Sequence, residues 1–278
     1  MIWRFLDTGG HDGAFNMAVD EALFRRCRAG DCPPVFRVYR WNPWTISLGR
    51  MEDAALRLDL AACRKDGVPV VRRPTGGRAV YHAEELTYSF VARHSDLPVD
   101  STIGGTYRFV ARALVEALRS LGVPAEIWPR GSGAAQSVWN AAGRGELRRG
   151  PCFASVSQYE ICVGGKKLVG SAQRRWPEGI LQHGSILLGS AHRRIGRYLR
   201  GGSSADGEAL ASRTTSVSEE LERPAAAEGL VEQLKEATAR IWNVEMEEDR
   251  LGPEDLEEVE KLRKLRYEAE GWGLGDPN

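Results

Sequence analysis

Two adjacent glycines, Gly164-Gly165, stand between two runs of β-forming character, Tyr159-Glu160-Ile161-Cys162-Val163 and Lys166-Lys167-Leu168-Val169. Glycine accepts the positive φ that a type I′ or II′ turn demands, so this pattern predicts a tight antiparallel hairpin over residues 159–172. A two-residue turn also sets the register. Val163 then faces Lys166, Cys162 faces Lys167, and Ile161 faces Leu168. Alternation puts Glu160, Cys162, Lys167 and Val169 on one face. A hairpin with one buried face needs further strands beside it and a layer to cover it.

The rest of the chain supplies both. Val35–Arg40, Thr45–Gly49, Val68–Arg73, Glu85–Val91 and Ile186–Leu188 read as strands, rich in β-branched and aromatic residues. Asp12 is placed to cap a helix over about 13–28, with Phe15, Ala18, Ala22 and Leu23 near one face. Asp53 to Asp66 reads as one helix closed by Gly67. Tyr107 to Leu121 reads as another, stopped by Gly122. Residues 131–150, rich in Gly, Ser, Ala and Arg, read as a loop or insertion. After Gly201-Gly202-Ser203-Ser204 the character changes to charged helix. Leu230, Leu234, Ala237 and Ile241 form one stripe, and Leu256, Val259, Leu262 and Leu265 a second. The expected class is α+β, a mixed or antiparallel sheet flanked by helices. A main unit over 1–217 is followed by a small helical appendage over 218–278.

Charge narrows the partners. Lys+Arg and Asp+Glu both number 38, which argues against a general nucleic-acid or anionic-membrane binder. The five cysteines are odd in number and irregularly spaced, with no CxxC or His/Cys pattern, so neither a disulfide framework nor a metal site is expected. That usage fits a reducing, cytoplasmic setting. Met1–Phe5 lacks a signal-peptide pattern, and no apolar run approaches a membrane span. The Walker A, GxGxxG and Gly-x-Ser-x-Gly patterns are all missing, so the usual nucleotide loops and serine elbow are not indicated.

Three segments could carry chemistry. Lys167, set among apolar neighbours on the hairpin, would be partly desolvated and so disposed toward proton transfer. Two thiols compete to work beside it. Cys162 is its cross-strand neighbour and fits a packed, inert cysteine. Cys152 lies in the preceding loop, where access favours reactivity. Residue pattern alone leaves that choice open. The stretch Arg72-Arg73-Pro74-Thr75-Gly76-Gly77-Arg78-Ala79-Val80-Tyr81-His82 brings paired glycines between a strand and a polar turn, where backbone N–H groups can approach a ligand. Ser171-Ala172 and His183-Gly184-Ser185 place small residues beside apolar strands, which leaves room for an alkyl chain.

Taken together these segments resemble the lipoate ligase and octanoyltransferase superfamily, whose fold is similar to biotin protein ligase. Arg72–His82 resembles its Arg-Arg-x-x-Gly-Gly-x-Ala-Val-x-His signature, and Lys166–Ala172 its lysine motif, with Lys167 at the conserved position. His183–Leu188 resembles its His-Gly-[Ser/Thr] strand, and Phe15–Leu23 its N-terminal helix motif. Cys152-Phe153-Ala154-Ser155-Val156-Ser157-Gln158-Tyr159-Glu160 resembles the Cys-Phe-x-x-Pro-Ser-x-Tyr-Glu element of the LipM-type octanoyl-[acyl carrier protein]:protein N-octanoyltransferases. Val156 replaces the usual proline, and Ala83 replaces the aspartate that commonly follows the histidine.

The resemblance implies transfer of an octanoyl group from octanoyl-acyl carrier protein to a lysine of a lipoyl domain, that of the glycine cleavage H protein. The route would be a thioester on Cys152, with no ATP and no cofactor. It assigns Cys152 and Lys167 to catalysis, and Arg73, Gly76, Gly77, His82, Ser171, Ala172 and His183 to substrate binding. Because acyl carrier protein is acidic, it also suggests a use for the arginine cluster Arg193, Arg194, Arg197 and Arg200. An ATP-dependent lipoate–protein ligase, an amidotransferase between carrier domains and a non-catalytic carrier-binding module are the alternatives.

Overall fold

A computed structural model describes residues 1–128 and 159–269. Cys152 and the 131–150 stretch lie outside the described residues. Among the described residues eleven strands, β1 (Ile2–His11), β2 (Val35–Trp41), β3 (Thr45–Leu48), β4 (Val70–Arg72), β5 (Val80–His82), β6 (Glu85–Arg93), β7 (Glu126–Ile127), β8 (Ile161–Val163), β9 (Lys166–Arg175), β10 (Gly179–Leu187) and β11 (Glu245–Glu248), form two sheets. The larger runs β11-β1-β2-β6-β10-β9-β8-β7 and the smaller β4-β3-β5. β1 is parallel to both β2 and β11, whereas the β2-β6-β10-β9-β8 series is antiparallel. The fold is α+β with a mixed sheet.

Alternation along the central strands serves two cores. On one face Trp3, Phe5, Phe36, Val38, Tyr88 and Phe90 meet helix α4 (Ile103–Ser120) and the later helix Ala227–Trp242. Trp242 closes this core. Its ring lies 5.5 Å from Trp3 and 5.0 Å from both Phe90 and Phe109, and its Nε1–H donates to the Phe109 carbonyl. On the other face Leu6, Val35, Tyr39, Val91 and Leu181 meet helix α1 (Gly13–Ala29). Asp12 caps that helix by accepting from the Phe15 amide, and Gly30 ends it in the left-handed region. α1 is buried around most of its girth, because the helix Pro253–Leu262 covers its outer side.

Three details differ from the sequence reading. The 53–66 segment is two short helices, α2 (Ala54–Arg57) and α3 (Leu60–Lys65). Between them Leu58 is buried and bridges Leu199, and Asp59 caps α3 through the Ala61 and Ala62 amides. Tertiary packing of Leu58 overrides helical continuity there. Residues after 217 hold a strand as well as helices, and β11 extends the main sheet. In their two stripes Leu230, Leu234, Ala237, Val259 and Leu262 are buried, whereas Ile241, Leu256 and Leu265 face solvent. Finally, the hairpin keeps Val163↔Lys166 and Cys162↔Lys167 but then pairs Ile161 with Val169, not Leu168. Leu168 is the extra residue of a β-bulge. Here β10 has ended, so the Lys167 amide and carbonyl bond instead to Arg213 and Thr215. Among the described residues no helix is long and apolar enough to cross a membrane.

Candidate active site

The smaller sheet meets the α1 face of the larger one, and a small cavity of about 30 Å³ lies where they join. Met17, Tyr39, Trp41 and Val80 give it apolar walls, and Gly170, Ala172 and Gly184 keep it open. Gly184 has no space for a side chain: a Cβ there would lie 2.6 Å from the Gly170 carbonyl and 2.7 Å from the Tyr88 ring. Polar groups enter through Ser47, Arg73, His82, Ser171, His183 and Ser185. The cavity thus gathers Arg73, His82, Ser171, Ala172 and His183 from separate segments. It does not include Gly76, Gly77 or Lys167 among its described lining residues.

Arg73 threads the paired-glycine turn. Its Nε and Nη2 donate to the Gly76 carbonyl at 3.1 and 2.8 Å, its Nη2 also reaches the Arg78 carbonyl, and its Nη1 donates to Ser47 Oγ and the Ser47 carbonyl. Gly77 has φ +96, and a Cβ on Gly49 would sit 1.9 Å from the Gly77 carbonyl oxygen. The turn is therefore held from both sides. Arg72, fully buried, caps the carbonyls of Gly49, Arg50 and Glu52.

Two histidines sit in separate hydroxyl–imidazole–carboxylate chains. His183 Nδ1 donates to Asp20 Oδ2 at 3.0 Å, and its Nε2 accepts from the Thr75 hydroxyl at 2.6 Å. Asp20 also takes Arg37 at 2.7 Å and the Tyr39 hydroxyl at 3.0 Å, all of it fully buried. Burial works against the Asp20 charge, but the His183 bond and the Arg37 charge outweigh it and hold this carboxyl below its ordinary value. Burial takes His183 the other way, below its ordinary value, despite the pull of Asp20. In the second chain His82 Nε2 lies 2.7 Å from Ser47 Oγ, and Nδ1 lies 2.7 Å from Glu85 Oε1. The hydroxyl of Ser171 is already engaged with Tyr88, at 2.7 Å.

Lys167 is fully buried, yet its neighbour is not apolar as its strand pattern suggests: Nζ lies 2.5 Å from Glu160 Oε1, an ion pair within the hairpin. Cys162, facing it across the ladder, is fully buried. Burial and then the Glu160 carboxylate push its thiol up to about 12, which leaves little thiolate at neutral pH.

Sequence reasoning overlooked Asp20, Thr75, Ser47, Glu85 and Glu160 as members of these networks. Signals existed for some of them. Asp20 is the acidic residue inside the Phe15–Leu23 motif, Thr75 lies within the arginine–glycine stretch, and alternation already puts Glu160 on the face of Lys167. Nothing in the chain links Ser47 to His82, because their contact is made by strand pairing between β3 and β5.

The lipoyl protein ligase A/B catalytic domain model matches residues 12–239. The chain is 39% identical to octanoyltransferase LipM of Moorella thermoacetica, over 97% of both chains. It is 33% identical to octanoyltransferase LipM of Bacillus subtilis, again over 97% of each. A lipoate-protein ligase A bound with ATP shares its fold, with a TM-score of 0.78 at 23% identity, covering 99% of both chains. So does the lipoate protein ligase of Thermoplasma acidophilum from a bipartite system, with a TM-score of 0.79 at 22% identity, covering 99% of this chain and 97% of that one. The chain belongs to the lipoyl protein ligase A/B catalytic-domain family, among its LipM-type octanoyltransferases, and is an acyltransferase.

Proposed function

We propose that the enzyme moves an octanoyl group from octanoyl-acyl carrier protein to a lysine of a lipoyl domain, such as that of the glycine cleavage H protein, in lipoate biosynthesis. The observation that carries this reading is near full-length likeness to octanoyltransferases at up to 39% identity. The lining of the cavity supports it, since apolar walls with few polar groups suit an acyl chain.

The thiolate of Cys152 attacks the donor thioester carbonyl, a new C–S bond forms, and the donor thiol departs. The acceptor amine then attacks the octanoyl-Cys152 thioester, forming an amide and releasing the Cys152 sulfur. Thioester exchange is near neutral and aminolysis runs downhill, so no nucleotide is consumed. What supports Cys152 over its rival is the state of Cys162, buried and pushed up to about 12. Lys167, an ion-paired ammonium, acts as a cation that favours the Cys152 thiolate. Arg73 and the Gly76-Gly77 turn shape the mouth, while Ala172 and Ser171 border the chain.

Intact mass spectrometry after incubation with octanoyl-acyl carrier protein tests this. The expected result is an octanoyl adduct that survives Cys162→Ser and disappears in Cys152→Ser. The reverse pattern would reassign the nucleophile. Pyrophosphate release from ATP with free octanoate, without such an adduct, would overturn transfer in favour of ligation.

A further inference from the structure

One cavity-lining array is left without a task by that reaction, and its hydrogen bonds have a single direction. Trp41 Nε1–H, a donor only, gives its proton to Thr87 Oγ1 at 2.7 Å. The Thr87 hydroxyl therefore donates onward to Glu85 Oε1, at 2.6 Å. That carboxylate oxygen accepts, so His82 Nδ1 carries the hydrogen that meets it at 2.7 Å, with Ser185 Oγ a weaker acceptor at 3.3 Å. Neutral His82 then has a bare Nε2, which takes the Ser47 hydroxyl hydrogen at 2.7 Å. Ser47 Oγ meanwhile accepts from Arg73, a donor only, at 2.9 Å. Among the described residues this leaves Ser47 Oγ a second lone pair, on a residue that lines the cavity. The imidazole is clamped flat against Trp41, with centroids 3.9 Å apart and planes 11° apart. Glu85 Oε2 is buried and has no hydrogen-bond partner among the described residues.

We propose that Ser47, His82 and Glu85 form the proton relay that deprotonates the acceptor lysine for attack on the acyl-enzyme, an inference that rests on the transfer reading above. The amine arrives as an ammonium, since a lysine at neutral pH is about a thousand to one protonated. One N–H proton passes to Ser47 Oγ as the hydroxyl hydrogen moves to His82 Nε2, giving an imidazolium paired with Glu85. The free amine attacks the thioester carbonyl, a C–N bond forms, the C–S bond breaks, and the second proton leaves with the Cys152 sulfur. Ser47 touches the substrate, His82 is the base behind it, and Glu85 is a positioning residue. The rivals lack such an outlet: His183 Nε2 takes the hydroxyl of Thr75, which is not among the described residues lining the cavity, and Lys167 is an ion-paired ammonium outside that lining.

Single-turnover assays on the loaded enzyme test this. His82→Gln should load octanoyl within about twofold of the unaltered protein, yet pass it to the carrier lysine ~100-fold more slowly, the scale of a lost general base. Hydroxylamine, already neutral at pH 7, should discharge the same variant within about threefold of normal. Should His82→Gln misfold, Ser47→Ala carries the test, with a ~10-fold loss toward lysine and hydroxylamine again spared. Parallel loss with both nucleophiles would overturn the relay as mere packing, and unchanged lysine discharge would overturn it outright. An unaltered protein that forms no octanoyl adduct would overturn the parent reading, and that is seen before any variant is made.

Discussion

Asp20 holds three donors at once in a fully buried site, so removing its charge should cost far more than a surface ion pair. Arg37 and Asp20 both have 0% exposed side chains and lie 2.7 Å apart. Breaking a buried pair by deleting one charge costs about 3–5 kcal/mol, because the survivor stays buried without its counter-charge. Asp20→Asn preserves shape but forces an NH₂ group against either Arg37 or the Tyr39 and His183 donors. Tyr39 and His183 can reorient, whereas Arg37 cannot. The cost should therefore fall at the lower end, about 3 kcal/mol, with Asp20→Ala nearer 5. At about 2 °C per kcal/mol for a chain of this size, Asp20→Asn should lower Tm by roughly 6 °C. Urea unfolding measures it, and a double-mutant cycle with Arg37→Met isolates the pair. Arg37→Met should recover at least ~2 kcal/mol in the Asp20→Asn background, since no buried charge then remains. A single-variant cost below about 1 kcal/mol, or strict additivity in the cycle, would refute the reasoning.

The remaining predictions concern pH, the acyl cavity and the donor. Burial and then Arg193 depress His192 to about 4, beside Thr214. The unfolded chain binds more protons between about 4 and 6.5, so stability should be full above 6.5 and fall as pH drops, by up to about 3 kcal/mol. Urea titrations from pH 7 to 4 should show that slope, and His192→Asn should flatten it. Gly184→Ala pushes a methyl between Gly170 and Tyr88 and should narrow the cavity. Donor series from butanoyl to decanoyl should then shift toward shorter chains, with KM for octanoyl donors up about tenfold. Arg193 is committed to Glu219 and Arg197 to Asp66, whereas Arg194 is exposed and makes no ion pair among the described residues. Transfer rates should fall with salt, and Arg194→Glu should raise the donor KM severalfold while Arg193→Glu mainly destabilises the protein. An unchanged KM in Arg194→Glu would place the dock elsewhere.

Local chemistry made much of the fold legible. The Gly164-Gly165 turn carries its own register for the pairs nearest it, and Asp12 marks the start of α1 because caps are local. Legibility stopped where distant chain decides. The bulge at Leu168 depends on β10 ending and on residues 213–215 taking its place beside Lys167. The break at Leu58 depends on Leu199. At the site, Arg73, His82, Ser171 and His183 were recognisable one by one, but most of their partners were not. His183 meets Asp20 and Thr75 from distant chain and His82 meets Ser47 across the β3–β5 pairing, which no local spacing encodes, whereas Glu85 stands only three residues from His82 and was within reach of the sequence. Glu160 is a second exception. Strand alternation already put it beside Lys167, and counting charges on that face would have found the pair.

The pairing of β11 with β1 has a consequence for how the molecule is made. Arg4 binds Asp249 across 245 residues of sequence, and Trp3 packs on Trp242. On a ribosome adding about 5–20 residues each second, β1 waits roughly 10–50 s for that neighbour. Throughout that interval its outer edge is a row of unpaired amides and carbonyls beside a partly open aromatic core. Completion of this enzyme is therefore a late event in synthesis, and the nascent chain is the form most exposed to chaperones, proteases and self-association.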